Sequence, residues 1–272
     1  KFYSFHVIFL LRLSKYNLSI EEKAVKLMDL ILLYVIGVVA TTIGTLAGGG
    51  GFINLPTMLL LGMPIHSAIG ANKVSNTVSS FSSFFTLYKR KQISFKESYW
   101  IIPFSLIGGL TGGWIASLLS SNYLFIVAIV LLVLGFLTSF IGKDNFTGNK
   151  ELTLNKVSGL GLYGIGIYDG LFGPGQGTLM LYLFSYLNVA YIKSVGLVRL
   201  ATFSSCFGAA ISYIASGVII WPLTLALMAG SLTGAQVGVR IAEKLNPRFV
   251  KPILRVITTI LIVQLILENL VF

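Results

Sequence analysis

Long apolar runs alternate with short polar or glycine-rich interruptions along the whole chain. The runs are Asp29 to Ala47, Ile65 to Tyr88, Tyr99 to Leu119, Tyr123 to Ile141, Lys156 to Phe172, Tyr191 to Ala215, Trp221 to Ile241 and Ile253 to Leu270. At the rise of an α-helix most are about one bilayer thick. Two further runs, Phe52 to Leu61 and Thr178 to Leu187, are too short to span alone. Each follows a glycine break, Gly48-Gly49-Gly50-Gly51 in the first case and Gly173-Pro174-Gly175-Gln176-Gly177 in the second. Glycine admits backbone angles closed to other residues, and Pro174 stops helical hydrogen bonding. The pattern predicts, twice, a broken hairpin dipping into the membrane, followed by full-length helices. Helices satisfy their own backbone polar groups in lipid. A barrel needs short alternating strands, and these runs are long and continuous.

The two breaks belong to a repeat. At a common offset of 126, Gly44 falls on Gly170, Gly49 on Gly175, Gly51 on Gly177, Gly70 on Gly196, Ser79 on Ser205 and Phe81 on Phe207. The same offset sets Lys73 on Arg199, so each break is followed by a cation inside the next apolar run. Leu110-Thr111-Gly112 returns as Leu232-Thr233-Gly234 at an offset of 122. The organisation expected is a tail at 1–27, a first transmembrane repeat at 28–142, a linker at 143–155 and a second repeat at 156–272. The tail mixes Arg12, Lys15, Lys23 and Lys26 with Glu21 and Glu22, has no partner in the repeat, and is expected to be dispensable.

Composition agrees with a membrane protein. The 272 residues are 55% hydrophobic and 11% charged, with mean hydropathy +0.87. A soluble domain is about 25% charged. The net charge of +11 does not call for nucleic acid, because no reading motif accompanies it. Loops 89–96 and 240–255 concentrate positive charge and 143–156 is mildly basic, whereas 120–122 and 216–217 carry none. The positive-inside rule puts the first group in the cytoplasm and the second outside. If each hairpin returns to its side of entry, the two repeats are inverted. The fold class expected is then an all-α polytopic membrane protein of two inverted repeats, each a glycine-broken re-entrant hairpin plus three transmembrane helices, multi-pass in the cell membrane (bacterial inner or plasma membrane). The lone Cys206 excludes an internal disulfide.

Away from loops and tails the spans hold Lys73, Asp169 and Arg199. A charge at mid-bilayer costs at least about 2.5 kcal/mol on insertion scales, so each needs a reason. An Asp169–Arg199 pair that only locks helices is the bland reading. Two repeat-related cations against one acid leave about one positive charge, which an anion completes. Freed amides at helix N-termini attract anions as well. The substrate-binding candidates are therefore Gly49, Gly50, Gly51, Asn72, Lys73, Asn76, Gly175, Gln176, Gly177, Arg199 and Thr202, and Asp169 is the proton-coupling candidate. No metal, cofactor or enzyme chemistry is expected: His6 and His66 form no metal-spaced pair, and no nucleophile elbow is present. The partners expected are a small anionic substrate and the lipid bilayer. An anion channel, or a carrier of another small oxyanion or carboxylate, stays open as an alternative.

Ile43-Gly44-Thr45-Leu46-Ala47-Gly48-Gly49-Gly50-Gly51-Phe52 and Tyr168-Asp169-Gly170-Leu171-Phe172-Gly173-Pro174-Gly175-Gln176-Gly177 resemble the paired glycine-rich breaks of the TSUP family, also called the TauE/SafE sulfite exporters. Gly70-Ala71-Asn72-Lys73 and Gly196-Leu197-Val198-Arg199 also fit that family, and the resemblance covers about Met28 to Leu270. It implies a two-fold repeat carrier that exports small sulfur-containing anions such as sulfite, sulfoacetate or other organosulfonates.

Overall fold

The computed structural model describes residues 27–48, 50–120 and 152–246, together with 123, 130, 150, 252, 256, 259 and 263. The tail before Leu27, most of the Tyr123 to Ile141 and Ile253 to Leu270 runs, most of the linker, and Gly49 lie outside the described residues. All regular structure among the described residues is helical. The first half contributes α1 (Leu27–Ala47), α2 (Gly51–Leu60), α3 (Ile65–Lys89), α4 (Phe95–Ser98) and α5 (Ile101–Leu118). The second contributes α6 (Lys156–Leu171), α7 (Gln176–Tyr186), α8 (Tyr191–Ala215) and α9 (Trp221–Ala242).

The offset of 126 seen in residue identities recurs in element boundaries. α3 and α8 are both 25 residues long and start and stop at the same offset of 126. The residues before them, Pro64 and Ala190, share an extended conformation with ψ 143° and 147°. The chain leaves the two short helices through Gly62 and Asn188, both with positive φ. α7 starts at Gln176, two residues before the expected Thr178, because Gly175 takes the left-handed conformation at φ 82° and lets the helix begin at once. α5 starts at Ile101, after the single turn of α4, rather than at Tyr99. At the head of α6 a capping box holds the chain: Ser158 N donates to Asn155 Oδ1 at 2.8 Å, and Asn155 N donates to Ser158 Oγ at 2.9 Å.

Packing runs between the halves. α1 lies on α9, α5 on α6, and α3 on α8, while α3 also touches α9 and α5 touches α8. Exchanging the halves reproduces this pattern. Bare backbone makes the approaches possible: a Cβ on Gly234 would lie 2.2 Å from Val38 O, and one on Gly112 would lie 2.1 Å from Ile167 O. Small residues let transmembrane helices come this close.

Small polar residues are buried beside the apolar core, and large apolar side chains also face outward. Val35, Val39, Phe81, Phe85, Ile107, Trp114 and Phe207 are exposed, while Ser75, Ser79, Ser80, Ser83, Ser204 and Ser205 are buried. Within the bundle, Ser75 and Ser231 hydroxyls meet at 2.7 Å and join α3 to α9. Gln236 Nε2 donates to Ser82 Oγ at 2.7 Å, and Thr86 Oγ1 donates to Gln236 Oε1 at 3.1 Å. Among the described residues, α1, α5, α8 and α9 are long and apolar enough to cross a membrane, and α8 is the most buried of them. α2, at 10 residues, is about 15 Å long and reaches halfway across at most. Arg90 pairs with Glu243, so the basic residues after α3 and after α9 sit at the same end of the bundle.

Candidate functional site

The two glycine breaks meet. A Cβ on Gly48, whose φ is +77°, would lie 2.0 Å from Thr178 N, and one on Gly177 would lie 2.7 Å from Gly48 Cα. A Cβ on Gly51 would lie 3.1 Å from Pro174 Cα. The backbone of each break therefore forms a wall of the other. The Tyr168 hydroxyl donates to the Pro174 carbonyl and holds the second break in shape. The N-termini of α2 and α7 both open at this crossing. First-turn amides have no partner inside their own helix, and the dipole there favours negative charge.

The C-terminal end of α1 is closed by the second half. Thr178 Oγ1 donates to Ala47 O at 2.6 Å, Tyr191 OH donates to Leu46 O at 2.9 Å, and Arg199 Nη2 donates to Gly44 O. At the end of α6, the Tyr213 hydroxyl lies 3.4 Å from the carbonyls of both Gly170 and Leu171. Breaking a helix in lipid leaves carbonyls that must find donors, and these side chains supply them.

The buried charged side chains among the described residues are Lys73, Asp169 and Arg199. Asp169 is paired with Lys73, not with Arg199: Lys73 Nζ donates to Asp169 Oδ1 at 2.7 Å. The pair crosses between the halves, from α3 to α6. Asp169 Oδ2 accepts from Ser205 Oγ and, at 3.3 Å, from Cys206 Sγ. A carboxylate with three donors around it is well satisfied. The pair needs Gly173, where a Cβ would lie 2.1 Å from Lys73 Nζ. Thus Lys73, which has no acid at its repeat-related position, finds one in the other half.

Arg199 is treated differently. Its guanidinium reaches Gly44 O and, at 3.5 Å, Ser80 Oγ. Nε has no hydrogen-bond partner, and no carboxylate among the described residues pairs with this arginine. One turn further along α8, Thr202 Oγ1 donates to Gln176 Oε1 at 3.0 Å, leaving the buried Gln176 Nε2 without a partner. Positions 199, 202, 205 and 206 recur at three- and four-residue spacing, so they share one face of α8. In the first half, Asn72 Oδ1 accepts from Asn54 Nδ2 at 3.2 Å and from Asn76 Nδ2 at 3.4 Å. Asn72 Nδ2 lies 3.4 Å from where a Cβ on Gly51 would be.

Of the residues singled out from sequence, Gly51, Asn72 and Gly177 are placed at or beside the crossing of the breaks, Thr202 is bonded to Gln176 at the start of α7, and Arg199 reaches Gly44 near the end of α1. Gly50 faces Ala40 O and Gly44 instead. Gly175 acts as the cap of α7, and Asn76 is a half-buried partner of Asn72. Gly49 lies outside the described residues. Sequence reasoning missed Asn54, Ser80, Gly173, Thr178 and Tyr191. Ser80 carried a weak signal, since it follows the repeat-matched Ser79. Thr178 and Tyr191 carried none, because each matters through a carbonyl on a distant helix.

Residues 33–265 match the family described as Sulfite exporter TauE/SafE. The chain is 28% identical over 249 residues to "Probable membrane transporter protein ORF9" of Sinorhizobium sp, covering 88% of this chain and 93% of that protein. It is 25% identical over 243 residues to a "Probable membrane transporter protein" of Haemophilus influenzae, covering 88% and 95%. It is 27% identical over 235 residues to "Probable membrane transporter protein YdhB" of Bacillus subtilis, covering 82% and 93%. No solved structure matches. With most of its length matched by one family and by transporters of nearly its own size, this chain belongs to the TauE/SafE family of membrane transporters.

Proposed function

We propose that this chain is a secondary carrier that exports small sulfur-containing anions, such as sulfite, sulfoacetate or other organosulfonates, across the cell membrane. The observation that carries the reading is Arg199. It is buried, no described carboxylate neutralises it, and its Nε lacks a partner. Gln176, bonded to Thr202 one turn along α8, offers a second unpartnered donor, and the N-termini of α2 and α7 meet at the crossing of the breaks. A buried cation with spare donors suits an oxyanion, and a guanidinium suits two oxygens of one group. The name of the matched family supports a sulfur oxyanion as cargo. The exchange-symmetric packing and matched element boundaries support two repeats, inverted in the membrane, each with a re-entrant hairpin.

The test is transport by purified protein in liposomes. Radiolabelled sulfite or sulfoacetate should accumulate in counterflow against a preloaded unlabelled anion, and a neutral solute should not. Flux without counterflow makes the protein a channel. No flux and no binding of any of these anions removes the reading.

A further inference from the structure

The buried charges carry more than the sign of the cargo. Lys73, Asp169 and Arg199 are two cations and one carboxylate, so the closed core holds one positive charge. That charge is on Arg199, because the Lys73 ammonium is already bonded to Asp169 at 2.7 Å. We infer that the site accepts one net negative charge, so a singly charged anion binds alone and a doubly charged one binds only with a proton taken up by Asp169. This rests on the reading of Arg199 and its neighbours as the anion site.

The physical argument is a charge balance. A monoanion beside Arg199 makes the core neutral and leaves the Lys73–Asp169 pair intact. A dianion would bring the core to a net negative charge beside an ionised carboxylate. Two like charges enclosed in one core away from water repel far more than they would in water. Protonating Asp169 removes that repulsion and also frees the Lys73 ammonium, which then supplies the second positive charge. The proton goes onto the Asp169 carboxylate and no covalent bond elsewhere changes. In the second state the core is again neutral: two cations, one dianion and a neutral acid.

Asp169 is well placed to accept that proton. From α3 the charged group facing it is Lys73. From α8 the Ser205 hydroxyl and the Cys206 thiol both donate to Oδ2, with the Arg199 guanidinium further along the same face. The Tyr213 hydroxyl, also on α8, is turned to the Gly170 and Leu171 carbonyls, and the Tyr168 hydroxyl on α6 to Pro174. From α5 the glycine backbone of Gly109, Gly112 and Gly113 packs around the adjacent Gly170. Among the described residues no second carboxylate is buried with it to share or relay the proton. Asp169 is therefore the group in this core whose proton uptake changes the charge available to cargo.

The experiment counts protons per anion on the purified full chain, by titration calorimetry in buffers of different ionisation enthalpy at about pH 7.5. The probes are isethionate, a sulfonate monoanion, and sulfoacetate, a dianion at that pH. Neither titrates there, so any proton taken up goes to the protein. The expected result is no proton with isethionate and about one with sulfoacetate. Sulfoacetate affinity should then fall up to about tenfold per pH unit while isethionate affinity stays flat. In Asp169→Asn, sulfoacetate should bind with no proton and no pH slope. The parent protein decides the matter even if that variant does not fold. Equal proton uptake with both anions, or none with sulfoacetate, overturns the inference and leaves the carrier reading standing. So does sulfoacetate failing to bind at about pH 6 where isethionate binds. If isethionate, sulfoacetate and sulfite all fail to bind, the carrier reading falls and the inference with it.

Discussion

Arg199 and Lys73 occupy equivalent places in the two halves and carry the same formal charge, yet their surroundings give them different work. Lys73 is held by Asp169, and Arg199 by a carbonyl and a serine hydroxyl. Arg199→Lys keeps the charge and loses the fork, so anion binding should weaken by about 10- to 100-fold, the value of one or two charge-assisted hydrogen bonds. Calorimetry on folded protein checks this, with the thermal melt as the control for folding. The buried pair makes a separate prediction. Lys73→Gln or Asp169→Asn alone leaves one uncompensated charge and should cost about 3–5 kcal/mol of stability. The double variant should recover most of that loss, and denaturant unfolding of the four proteins measures it. Additive losses would mean that the two groups do not act as a pair.

At the scale of elements, the short helices are positioned by glycine, and the reasons differ from site to site. Gly48 has positive φ, and its Cβ would overlap Thr178 N. Gly62 also has positive φ but has open space around it. Gly164 has ordinary helical geometry and open space. Gly62→Ala should therefore cost about 1–2 kcal/mol, the strain of a left-handed residue. Gly48→Ala should cost more than that and also lower anion binding, because the two breaks can no longer touch. Gly164→Ala should be neutral or stabilise by up to about 1 kcal/mol. Thermal melts of the three variants test the ranking, and a Gly48→Ala protein as stable as Gly62→Ala would contradict the crossing of the breaks.

For the whole molecule the decisive question is which ends of the helices share a side of the membrane. Arg90 and Glu243 already place the two basic ends together, although an exposed pair of this kind adds only about 0–1 kcal/mol. Single cysteines at Gln92 and Ser216, in a Cys206→Ser background, should label from opposite faces, Gln92 from the cytoplasm. Serine at 206 keeps a donor for Asp169, so the background should remain folded. Labelling of both positions from one face would remove the inverted arrangement while leaving family membership untouched.

The sequence alone determined the helical class and the positions of the glycine breaks. These follow from local properties: hydropathy sets where a span runs, and glycine and proline set where it stops. The boundaries of α3 and α8 match at the offset of 126 seen in residue identities. The tertiary structure alone decided who partners whom. Asp169 stands 96 positions from Lys73 and 30 from Arg199, and spacing favours neither. The choice falls to Lys73 because glycine-lined contacts bring α6 against α5 and α8 and leave the ammonium a place beside Gly173. Arg199 is left for α1's broken end, where it adds a second donor to Gly44 O and pairs with no carboxylate among the described residues. Pairing of buried charges depends on distance and desolvation after packing, and neither is written in the order of residues.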